Sequence, residues 1–152
     1  MRIVLQRVDR ASVDVAGERI GRIEQGLLLL VGIGPDDERV DLNKAASKIV
    51  SLRVFEDAEG KMNRSLLDVG GAILAVSQFT LFGDTRKGRR PSFVGAASPG
   101  LASSLFDAFV EALRGQGIDV ATGRFGAKMA VESVNAGPVT LILEVEPVAE
   151  TD

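Results

Sequence analysis

The sequence predicts a β-rich α/β domain, with two helices packed on curved sheet. Extended apolar runs fill the first 33 residues and the last third, and two segments of helical periodicity lie between them. No internal repeat or low-complexity tract interrupts this pattern. A chain of 152 residues is one domain's worth. With 45% apolar and 26% charged residues it has material for a core, which excludes disordered and fibrous classes. No stretch approaches the roughly 18 apolar residues of a membrane span. Arg2, Arg7 and Arg10 fall where a signal peptide's apolar stretch would lie. The expectation is a cytoplasmic protein that engages no membrane.

In chain order, IVLQRV reads as extended, and SVDV and ERIGRI flank Ala16-Gly17 as in a hairpin. GLLLLVGIG is a short continuous apolar run, the pattern of a buried strand. Gly34-Pro35-Asp36-Asp37 breaks it. Leu42, Ala45, Ala46, Ile49 and Val50 then recur at helical spacing, with Asp36 to Glu38 placed in the first turn. RVFE at 53–56 reads as a strand closed by a turn from Asp57 to Lys61, and residues 72–82 as the longest apolar strand. Residues 83–97 form a loop rich in Gly and Arg. Ser98-Pro99 supplies an N-cap and a first-turn proline, and Leu101, Leu105, Phe106, Phe109, Val110 and Leu113 make one stripe before Gly115 and Gly117. IDVATG, KMAVESV and the alternation of Val139, Leu141, Leu143 and Val145 read as three further strands, with Pro138 starting the last. The domain spans residues 1–146, and 147–152 form a frayed tail.

Four residue types are absent: Cys, His, Trp and Tyr. Their absence removes disulfides, thiolate nucleophiles, Cys- or His-based metal sites and the Ser-His-Asp triad. Chemistry must come from carboxylates, Lys, hydroxyls, backbone groups or the substrate itself. A net charge of −3 confines any nucleic-acid site to a local patch.

Gly32-Ile33-Gly34 follows a strand and precedes a helix, but Pro35, Asp36 and Asp37 stand where a phosphate would approach, so no nucleotide site is assigned. Asp36-Asp37-Glu38 reads as surface complementing a helix dipole; no metal and no cofactor are assigned. Arg86, Lys87, Arg89 and Arg90 put four cations within five residues on a Gly/Pro-flanked loop. They are either a solvated loop or a contact to phosphates. Ser77-Gln78-Phe79-Thr80 ends the apolar strand. It either simply leaves the core, supplies a hydroxyl nucleophile from Ser77 or Thr80 without a histidine to activate it, or presents backbone N–H groups and the Gln78 amide to an oxyanion. Asn135-Ala136-Gly137-Pro138 reads as a turn between two strands.

Taken together, LQRV with ASVDV, LRVFED with EGKMN, VSQFTLFGDTRKGRRPSF, TGRFGAKM and VNAGPVT closely resemble the D-aminoacyl-tRNA deacylases, the D-tyrosyl-tRNA deacylase family, from Met1 to about Val145. SQFTL together with GPVT at this separation is the specific part of the match. The resemblance implies barrel-like curved antiparallel sheets, a homodimer with active sites at its interface, and hydrolysis of D-aminoacyl-tRNA or glycyl-tRNA. It also implies a Gly137-cisPro138 unit that enters the partner's pocket. There its carbonyls hold the substrate's α-amino group and leave no room for an L side chain.

Residue by residue, the resemblance makes Ser77, Gln78, Phe79 and Thr80 the catalytic segment and places Ala102 against the terminal adenosine. Met129 lines the pocket and Arg7 steadies the Gly-Pro loop. The resemblance further implies substrate-assisted catalysis, with a 2′-hydroxyl of the tRNA acting where a protein base would stand. On this basis Arg86, Lys87, Arg89 and Arg90 are expected to touch tRNA phosphates. Ala136 departs from the aspartate, and Lys128 from the acidic residue, that many members carry.

Overall fold

The computed structural model describes residues 1–149. β1 (Arg2–Val15) is its axis. One edge of β1 pairs antiparallel first with β3 (Gly26–Gly32) and then with β2 (Glu18–Ile23). Its other edge pairs along its length with β8 (Met129–Glu144). Ala16 and Gly17 turn the first hairpin with positive φ at both positions, the turn whose twist matches the flanking strands.

β3 continues the sheet by pairing parallel with β6 (Ala72–Ser77), which pairs parallel with β7 (Val120–Thr122). These two pairs depart from an all-antiparallel arrangement, and they explain the helices. A parallel pair needs a crossover, and α1 (Leu42–Ser51) and α3 (Pro99–Arg114) lie in the two crossovers. A third, short helix, α2 (Leu66–Val69), has a reciprocal capping box between Ser65 and Asp68. β4 (Phe55–Glu56) and β5 (Met62–Arg64) form a separate small hairpin.

The sheet curls until it nearly closes: a Cβ on Gly21 of β2 would lie 2.7 Å from the Thr122 carbonyl of β7. Both faces of β3 are therefore covered, which its unbroken apolar run requires. Leu27, Leu29 and Val31 meet the helices together with Ile3, Leu5, Ile73, Ile49, Phe106, Phe109 and Leu113. Leu28 faces the second cluster with Val8, Val13, Leu74 and Val76. Each such fully buried side chain contributes about 1.5–3 kcal/mol.

Several local expectations are corrected. α1 begins at Leu42, capped by the Asp41 side chain, so Asp36 to Glu38 are not its first turn. Asp37 is instead buried, accepting from the Met1 ammonium at 2.6 Å and from the Gly34 N–H at 2.6 Å. The Gly32–Gly34 turn thus cradles a carboxylate of its own chain. The apolar strand expected over 72–82 stops at Ser77 and passes into a 3-10 turn, Phe79–Phe82. Ser98 occupies the N-cap position of α3 without a side-chain capping bond. Val148 donates to the Arg39 carbonyl, so the tail expected to fray from residue 147 is tied there; residues 150–152 lie outside the described residues.

The largest correction concerns the C-terminal strands. KMAVESV and VTLILE belong to one strand, β8, and Gly137-Pro138 is not a turn between two. Along β1, Gln6 faces Thr140 and Val8 faces Asn135, so residues 136–139 stand opposite Arg7 alone. They form a four-residue bulge that the continuous strand pushes outward.

Candidate active site

β6 delivers Ser77 to the sheet edge, where the chain leaves the core and turns tightly. The Gln78 N–H donates to the Val31 carbonyl, anchoring the start of the turn to β3. Arg2 holds its far end: Nη1 donates to the Leu81 carbonyl at 2.7 Å, and the guanidinium lies 4.9 Å from the Phe82 ring centroid. Phe79 and Thr80 open this 3-10 turn, so their N–H groups have no acceptor within it.

A cleft lies beside this turn. Ser77, Gln78 and Phe79 form one wall, and Ala97 with Pro99 and Ala102 of the α3 start another; Phe93, Phe125 to Ala127, Met129 and Val131 also line it. The structure thus brings Ser77, Gln78, Phe79, Ala102 and Met129 together. Thr80 stands just outside the lining, exposed, its hydroxyl accepting from Gln78 Nε2. No Lys or carboxylate is hydrogen-bonded to that hydroxyl among the described residues. Sequence reasoning missed Phe125, Gly126, Ala127 and Phe93 as lining residues. The TGRFGAKM match held a signal for the first three, but only its methionine was assigned.

Gly137 and Pro138 do not line this cleft; they sit exposed on the β8 bulge, joined by a cis peptide bond. The base of the bulge is closed by Asn135, which accepts from the Val139 N–H at 3.3 Å and donates to the Thr140 hydroxyl at 3.0 Å. Its back is held by Arg7, which is 8% exposed. Arg7 Nε donates to the Ala136 carbonyl at 3.1 Å and Nη1 to the Val54 carbonyl at 2.8 Å, with the exposed Glu56 carboxylate 3.8 Å away. The contact at position 136 is made by the backbone, so Ala136 retains it. Gly137 has φ +120°, and a Cβ there would lie 2.7 Å from Arg7 Nη2. The position therefore strains any L side chain by conformation, and an added Cβ would press on the end of the Arg7 guanidinium.

The four cations divide. Asp84 and Ser92 pair through two backbone hydrogen bonds and close the loop between them. Within it Arg86 is a strut, donating Nε and Nη2 to the Asp84 carboxylate at 2.9 and 2.7 Å. Those bonds from the Arg86 side chain, with the Arg86 N–H, hold Asp84 below the usual carboxylate range, and Asp84 raises Arg86 in turn. Lys87, Arg89 and Arg90 are exposed and have no ion pair among the described residues.

Over residues 4–144 the chain matches the family described as D-Tyr-tRNA(Tyr) deacylase. It belongs to that family. Members act on D-aminoacyl-tRNA as proofreading hydrolases, and this chain carries that general assignment. A solved structure described as "c-Myc DNA Unwinding Element Binding Protein" is similar at 42% identity and TM-score 0.88, covering 96% of this chain and 99% of that one. Another, described as "Structural Analysis of a probable eukaryotic D-amino acid tRNA deacylase", is similar at 22% identity and TM-score 0.80, covering 93% of this chain and 97% of that one. Their folds agree with the curled sheet and three helices seen here. No helix among the described residues is long and apolar enough to cross a membrane.

Proposed function

We propose that this deacylase hydrolyses the ester joining a D-amino acid, or glycine, to the tRNA 3′ end, and that it works as a homodimer with two interfacial sites. One observation carries this reading: neither Gly137 nor Pro138 forms a wall of the cleft at Ser77–Phe79, and their exposed, braced bulge stands outside the cleft of its own chain. A second copy would supply that wall. The outer strand β8 offers a contact surface, with Ile142 exposed by 70%.

In this assembly the Gly137 and Pro138 region enters the partner's cleft, and its carbonyls receive the substrate's α-ammonium. An L side chain would then be directed into backbone, whereas a D side chain or a hydrogen points outward. Water attacks the ester carbonyl, and the resulting oxyanion is met by the N–H groups of Phe79 and Thr80, which have no acceptor within their turn. The neighbouring 2′-hydroxyl of the terminal ribose relays the attacking water's proton to the 3′-oxygen, which leaves as a hydroxyl when the ester C–O bond breaks, in keeping with a chain lacking His and Cys. Ala102 and Met129 shape the space for the adenosine and the amino acid. Lys87, Arg89 and Arg90 hold tRNA phosphates, and Arg86 shapes the loop that presents them. The cytosol, where tRNA is charged, is the proposed location.

The test is release of amino acid from D-aminoacyl-, glycyl- and L-aminoacyl-tRNA carrying the same tRNA. Loss of the first two with the third spared supports the reading. Thr80→Val separates it from a covalent threonine mechanism: retained activity is expected, since the backbone rather than the hydroxyl acts. Nucleic-acid binding with no ester hydrolysed would instead favour a binding protein, in line with the description of the relative at 42% identity.

A further inference from the structure

Between the cleft and the cationic loop lies an apolar feature that the reading above leaves unused. Phe79 and Phe93 pack edge to face, with ring centroids 5.2 Å apart and planes at 75°. Both line the cleft mouth, yet Phe79 is 55% and Phe93 38% exposed. Large apolar rings left in water beside a polar loop mark a surface that something else covers.

Phe93 is also firmly placed. It directly follows Ser92, the residue that closes the loop against Asp84. Its ring lies against Gly83, where an added Cβ would be 3.1 Å from it. Its carbonyl accepts from the Ala96 N–H, and Ala97 is tied to the Ile33 carbonyl. The ring is thus fixed between two places with different chemistry: the cleft that would hold a terminal nucleoside and the exposed cations Lys87, Arg89 and Arg90.

We infer that Phe93, steadied by Phe79, is a stacking platform for the base of the penultimate nucleotide of the single-stranded tRNA 3′ end. Phe93 lines the cleft and directly follows the closed loop that carries the cations, so a strand leaving the cleft for them would pass this ring, and aromatic faces beside basic side chains are the recurrent means of holding single-stranded bases. Stacking tolerates any base, so the platform fixes the path of the strand without reading its sequence. It recognises the acceptor end, and not the amino acid, which Gly137-Pro138 would inspect. This inference rests on the deacylase reading for the identity of the strand.

The experiment is a double-mutant cycle read by equilibrium binding, without turnover. Wild type and Phe93→Leu are each titrated with uncharged tRNA and with the same tRNA carrying an abasic penultimate nucleotide. Leucine keeps most of the apolar volume and removes the aromatic face. The abasic substitution is expected to weaken wild-type binding about tenfold, as does Phe93→Leu with intact tRNA, while the two changes together cost little more than either alone. Wild-type affinity unaffected by the abasic site, or two losses that multiply in full, would overturn the inference. Ester hydrolysis by the wild type is scored separately, so failure of the deacylase reading and failure of the platform give different results.

Discussion

Replacing Arg7 with Met tests the support of the Gly137-Pro138 bulge, because methionine retains much of the apolar stem but none of the donors. Two hydrogen bonds from a charged group to main-chain carbonyls disappear, to Val54 at 2.8 Å and to Ala136 at 3.1 Å. Each contributes about 1.5–3 kcal/mol net, and both carbonyls lose a partner in a region where Arg7 itself is buried. Relief from holding a buried guanidinium offsets part of that loss. The Glu56 pair adds little, since its carboxylate is exposed and 3.8 Å away. The expected net destabilisation is about 2–4 kcal/mol. In urea, with a slope of about 1–3 kcal/mol per molar, the midpoint should fall by roughly 1–4 M. Under conditions where the variant is still folded, D-aminoacyl-tRNA hydrolysis should fall further than the unfolded fraction explains. Arg7→Lys should lie between the two, because one ammonium lacks the fork that serves both carbonyls. An unchanged midpoint together with unchanged hydrolysis would refute the reasoning.

Gly137→Ala should reduce hydrolysis of the D ester at least tenfold while lowering stability by about 1–3 kcal/mol, since the new methyl meets Arg7 and an L residue is strained at φ +120°; turnover and a denaturation curve check both. Asp37→Ala leaves the buried Met1 ammonium without its carboxylate and should cost about 3–5 kcal/mol by the same curve, with D-over-L selectivity retained by the folded fraction. Neutralising Lys87, Arg89 and Arg90 together should weaken binding to all tRNAs alike and lower the salt-dependence slope by about 3. Arg86→Ser should lower that slope less than the triple change and should loosen the Asp84–Ser92 closure, which amide exchange of the loop reports.

Where local pattern decides structure, the sequence was readable. The apolar run of β3 and the stripe of α3 record which faces are buried, and Ala16-Gly17 carries its own turn chemistry. The cleft residues Ser77, Gln78, Phe79, Ala102 and Met129 were found through resemblance, because nothing in their local pattern links positions 77, 102 and 129. What escaped depends on distant partners. Asp37 looks like one of three surface acids until the Met1 ammonium is placed against it. The ion pair of Arg86 with Asp84 is likewise not announced by its place among four cations. Gly137-Pro138 carries an ordinary turn signal, and only its register against a single residue of β1 makes it a bulge in one long strand. The parallel pairs were hidden for the same reason: strand direction is set by the crossovers, not by side-chain alternation.

The central claim is that a backbone wall supplied at Gly137-Pro138 selects the chirality of the ester cleaved at Ser77–Thr80. Its most direct test is the rate of amino acid release from D-, glycyl- and L-aminoacyl forms of one tRNA, with wild type and Gly137→Ala compared under conditions where both are folded. The account predicts rapid loss of the D and glycyl esters, a spared L ester and an impaired variant. Equal hydrolysis of D and L esters by the wild type, or a variant as active and as selective as the wild type, would contradict it.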